Sequence, residues 1–132
     1  MEASRLQNPL LALRLGVFIV MFMWTLDKFV QPEHAARVYE GFYYISGLPE
    51  FAFYMIGTLQ MVLVLAFVAG FQKRISYGLV FLLHGISTLS SWEQYLDPFD
   101  HLLFFAAWPM LAACYALYVL RDYDRRFTLD TK

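Results

Sequence analysis

Residues 51–71 read FAFYMIGTLQMVLVLAFVAGF, a run without a single charge. As an α-helix it extends about 30 Å, the thickness of a bilayer's hydrocarbon core. It is apolar on every side, so such a helix needs apolar surroundings on every side. Working outward, three more segments have the length and composition to span. Residues 9–30 contain the uncharged stretch 15–26, with Arg14 near the start and able to snorkel to headgroups. Residues 75–92 and 102–120 follow, the last with Pro109 inside it.

Composition agrees. The chain has 132 residues, of which 60% are hydrophobic and 16% charged, against about 45–50% and about 25% in soluble domains. A chain this small keeps much of its surface exposed and cannot hide so much apolar area from water. The expectation is one all-α domain over residues 1–132, an integral membrane antiparallel four-helix bundle. The first run is too long for a signal-peptide core and lacks a small-residue cleavage site after it, so it reads as a retained helix. Cys114, the single cysteine, has no partner for a disulfide and reads as a small packing residue.

Eight of the ten Lys and Arg fall at the N-terminus, at Lys73-Arg74 and at the C-terminus, including Lys132, while Lys28 and Arg37 fall on the other side. The positive-inside rule then puts both termini in the cytoplasm. Seven of eleven acids map to the outer side, which makes that face electronegative and attractive to cations or basic partners. The long connection, residues 31–50, carries Pro32, Gly41, Gly47, Pro49 and Phe42-Tyr43-Tyr44. It predicts a short amphipathic helix over 33–44, lying on the bilayer surface or capping the bundle mouth.

Polar groups at membrane depth are the functional candidates. Gln60 and His84 sit at matching depth and are placed to meet across the bundle. Ser87, Thr88 and Ser91 follow His84 at i+3, i+4 and i+7, one helix face leading outward. Such a stripe suits helix–helix hydrogen bonding, contact with a quinone carbonyl, or a proton relay. At the outer boundary Asp27, Lys28, Glu93, Asp97, Asp100 and His101 form an expected ion-pair cluster. Lys28 is expected to pair with Asp27, Glu93 or Asp100, and Asp100 to cap the fourth helix. Asp97 and His101, four apart, are too few for a metal site. The chain offers no phosphate loop, metalloprotease or serine-hydrolase motif, and only one histidine at mid-depth where a haem spanning two helices needs two. No catalytic residue, haem or metal is expected. The run 121–126 is expected to anchor the last helix at anionic headgroups.

The first helix, Leu13-Arg14-Leu15-Gly16 running to Trp24-Thr25-Leu26-Asp27-Lys28-Phe29 and Pro32, resembles the N-terminal pattern of the DoxX/DoxD-like family of small four-helix bacterial membrane proteins. Ile56-Gly57-x-x-Gln60, Gly70 and Lys73-Arg74 resemble its second helix and following loop. The resemblance covers about the first two-thirds of the chain. Asp27 stands where the family often has a small residue, and Gln60 where an acid is frequent. Some members belong to quinone-linked oxidoreductases and others support maturation of periplasmic enzymes. The resemblance implies an accessory or anchor subunit in the bacterial cytoplasmic membrane, not catalytic alone, beside a quinone-linked redox or redox-stress system. Quinone is then the implied ligand at Gln60 and His84. A non-catalytic assembly factor or chaperone for an exported or membrane protein is the alternative. The expected partners are lipid and either a protein partner or a second copy, with no nucleic acid.

Overall fold

The structure, a computed structural model, describes residues 4–129. Lys132, counted above among the cations, lies outside the described residues. Within them the chain is helical and has no strand.

Helix α1 (Ser4–Val30) starts earlier than expected and runs through Pro9, which costs one backbone hydrogen bond near its N-terminus. Helix α2 (Pro32–Tyr43) begins on its proline and stops where Tyr44 turns left-handed, φ 58°. Proline suits that first position because its missing N–H has no helical partner there. This is the short helix expected in the long connection. Helix α3 (Glu50–Val68) holds most of the charge-free run. It ends at Gly70, φ 65°, where the Phe71 N–H turns back to the Ala66 carbonyl. Only glycine takes that conformation without strain.

Helix α4 (Lys73–Ser90) follows directly. A short α5 (Trp92–Tyr95) and 3₁₀ turns at Pro98–Asp100 and Leu102–Ala106 lead to α6 (Ala107–Val119). The last helix is therefore α-helical only from Ala107. Pro109 falls in its first turn, where a missing donor costs little. Asp100, expected to cap it, lies in the separate turn at Pro98–Asp100 and makes no capping bond.

Three segments are long and apolar enough to cross a membrane: Arg5–Val30, Glu50–Val68 and Leu102–Val119. That is compatible with a membrane protein. The expected fourth, residues 75–92, forms most of α4 but falls outside this group, because that helix opens on Lys73 and Arg74 and carries His84 and several hydroxyls. The helices pack pairwise, α1 on α3, α3 on α4, α4 on α6 and α6 on α1, with α2 against α1 and α3. Val17, Val64, Phe67, Val80 and Leu117 form the interior. Much apolar surface points outward, including Ile19, Leu59, Val62 and Leu103, the last 89% exposed. Apolar area this extensive marks contact with a membrane or partner.

Candidate functional site

Two constellations stand out, one at each end of the molecule. The first is a mostly apolar cleft of about 1360 Å³ between α1, α2, α4 and the segment entering α6. The backbones of α1 and α4 pack on common neighbours and not directly on each other, which leaves room for it. Gln60, His84, Ser87 and Ser91 line it, whereas Thr88 does not.

His84 is buried, and its Nε2 lies 3.0 Å from the Ala107 carbonyl oxygen. A carbonyl only accepts, so Nε2 carries a proton in this bond. Gln60 is half-buried and makes no hydrogen bond among the described residues, so the expected direct Gln60–His84 bond is not formed. The two share a cleft instead. The polar stripe below His84 mostly satisfies itself along its own helix. Thr88 Oγ1 donates to the His84 carbonyl at 2.7 Å and Ser91 Oγ to that of Ser87 at 3.3 Å. Hydroxyls spent on i−4 carbonyls are not linked into a relay.

The outer cluster assembles differently from the expectation, and among the described residues no two of its six side chains form an ion pair or hydrogen bond with each other. Asp27 takes His34, with Nδ1 at 2.7 Å from Oδ2. Glu93 accepts from the Tyr44 hydroxyl at 3.1 Å. His101 Nδ1 meets the backbone carbonyl of Asp97 at 3.1 Å, not its side chain. Among the described residues no group of three or more His, Cys, Asp or Glu is placed to hold a metal ion.

Lys28 is 6% exposed, makes no ion pair among the described residues, and sits over the Tyr39 ring, 5.7 Å from its centroid. Both residues line the cleft. Burial pushes the Tyr39 hydroxyl above its ordinary pKa, with Tyr43 adding to it, so the ring beneath the ammonium stays neutral. No Asp or Glu lines the cleft. Tyr39 escaped the sequence reading because its contact with Lys28 joins two helices.

The second constellation is a buried charge cluster at the other end. Arg14 Nη1 lies 2.7 Å from Asp124 Oδ1, with the two side chains 1% and 0% exposed. The Tyr77 hydroxyl donates to Asp124 Oδ2 at 2.6 Å. Arg14 Nη2 donates to the Arg126 carbonyl at 2.5 Å. Lys73, also buried, donates to the carbonyls of Arg121, at 3.1 Å, and Asp124. Arg14 Nε has no partner. Arg14 thus does not snorkel to headgroups, and the run 121–126 is no simple headgroup anchor, since its Asp124 folds back into the helices. A buried ion pair survives only when further hydrogen bonds meet the cost of desolvating both charges. Here Tyr77 and the backbone carbonyls supply them.

These arrangements define an all-helical protein with three helices able to cross a membrane, a large apolar cleft and a clamped C-terminal segment. In comparison with known proteins the chain matches no family model, no curated protein and no solved structure.

Proposed function

We propose that the chain is a four-span membrane protein, with α4 as the fourth span and both termini cytoplasmic, that holds a lipophilic small molecule between its helices. The observation that carries this is the cleft. At about 1360 Å³ it exceeds the roughly 300–1,000 Å³ of ordinary small-molecule pockets, which suits a long-tailed ligand. The few polar groups set into apolar walls are the usual means of orienting one. Membrane insertion is supported by the outward apolar surface, and α4 spans because its polar face is turned to α6 and the cleft. The cation asymmetry supports the orientation.

The resemblance to the DoxX/DoxD-like family suggests the setting, an accessory subunit beside a quinone-linked redox partner in the bacterial cytoplasmic membrane. The residues accommodate a quinone at one point only. The Gln60 amide has free donors for a carbonyl, whereas the His84 N–H is already given to Ala107. The chain carries no chemistry of its own in this reading. It positions a molecule on which a partner acts.

The test is purification of the full chain from its native membrane in mild detergent, followed by mass spectrometry of extracted small molecules and co-eluting proteins. A lipophilic compound in near one-to-one ratio, with a redox protein alongside, is the expected result. Protein that is monodisperse yet carries neither sinks the proposal.

A further inference from the structure

Lys28 is the one Lys, Arg, Asp or Glu among the residues that line the cleft. It is more than nine-tenths buried, without an ion pair among the described residues, and lies over Tyr39 at the cleft wall. Asp27 acts on Lys28 only through space, its carboxylate being held by His34, and Glu93 accepts from Tyr44. As the last-turn cation of α1, Lys28 gains something from the negative end of the helix dipole. The Tyr39 face adds a cation–π contact. Neither supplies the negatively charged hydrogen-bond acceptor that a buried ammonium calls for.

We propose that the cleft binds an amphiphile with an anionic head, which pairs with Lys28 while its tail lies along the apolar walls. This rests on the reading of the cleft as a ligand site and names the class of molecule it takes. The charge balance closes: one ammonium, one anionic head, and no acidic wall residue to repel it. Tyr43 also lines the cleft, and its hydroxyl is of the kind that can donate to one of the head's remaining lone pairs. A free fatty acid and an acidic phospholipid share this chemistry, and the probes below distinguish them.

Trp24 and Trp92 line the cleft and report on occupancy, because bromine quenches tryptophan on contact. The experiment titrates the full chain, in discs of phosphatidylcholine, with dibromostearic acid, its methyl ester, dibrominated phosphatidic acid and decyl-ubiquinone. Saturable quenching by an acidic probe, with the ester about tenfold weaker, is the expected result, the scale of one charge-assisted hydrogen bond. Lys28→Gln removes that preference and Lys28→Arg keeps it. Preference for the fatty acid identifies a free acid as occupant, and preference for phosphatidic acid identifies a lipid headgroup; either supports the proposal. Should ester, quinone and acids quench alike in the unmodified protein, the anionic class is overturned while the ligand site stands. If no amphiphile quenches saturably, the cleft is not a ligand site at all. The acid-to-ester comparison is made in the unmodified chain, so it holds even if Lys28→Gln fails to fold.

Discussion

Arg14 and Asp124 are 110 residues apart in the chain and 2.7 Å apart in the fold, each sealed from solvent. Removing one partner leaves the other charged and buried. Asp124→Asn is therefore expected to cost about 3–5 kcal/mol. Arg14→Met with Asp124→Leu removes both charges and is expected to recover most of that. Thermal unfolding in detergent, run as a double-mutant cycle, measures both; an additive cycle removes the coupling.

Tyr77 tests the same cluster more gently. Its hydroxyl donates to the Asp124 carboxylate, so Tyr77→Phe should lower stability by about 1.5–3 kcal/mol. A change within error means that the hydroxyl is not serving the carboxylate.

Gly70 holds the C-terminal segment from the other side. A Cβ at Gly70 would meet Thr128 Cβ at 2.5 Å, and φ of 65° strains any larger residue. Gly70→Ala should cost about 1–3 kcal/mol and expose residues 121–129 to limited proteolysis. An unchanged cleavage pattern would show that the segment is held without this contact.

His84 separates packing from chemistry. An amide can replace the imidazole's bond to the Ala107 carbonyl, so His84→Gln should unfold within about 1 kcal/mol of the unmodified chain. His84→Leu removes the side-chain donor, while the carbonyl keeps its place in the α6 ladder, and should cost about 0.5–1.5 kcal/mol. Equal loss in both variants points to ring shape, not hydrogen bonding. Loss of a redox phenotype in a normally folded His84→Gln assigns the ring a role in the partner's chemistry.

Orientation is read by thiol labelling in intact cells, after replacing the buried Cys114 with Ala. A cysteine at the exposed Arg74 should resist impermeant reagents, and one at Phe99, 85% exposed, should react. The reverse pattern inverts the orientation proposed above.

The apolar runs were legible because a helix that is apolar on every side leaves a signature in composition alone, and residues 51–71 carry it without interruption. The pairing of charges was not. Arg14 and Asp124, read singly, look like surface groups, and only the return of the C-terminal segment makes them partners. Lys28 misled for a geometric reason. It adjoins Asp27 in sequence, but successive residues on an α-helix point about 100° apart. Asp27 turns to His34 while Lys28 turns to the cleft. The hydroxyl stripe on α4 was visible as a pattern, but its internal bonding to i−4 carbonyls is a matter of rotamers that spacing does not reveal. The 3₁₀ entry to α6 was hidden because residues 102–106 are as apolar as the helix they precede.

The Arg14–Asp124 pair also sets a clock on biosynthesis. Arg14 leaves the ribosome 110 residues ahead of its counter-ion, an interval of roughly 5–20 s at ordinary translation rates. Throughout that time the first helix carries a guanidinium with no carboxylate to receive it. The segment around Asp124 then supplies the carboxylate, so α1 reaches its final environment only once Asp124 has emerged. A chain truncated ahead of Asp124 would keep that unanswered charge in α1 permanently.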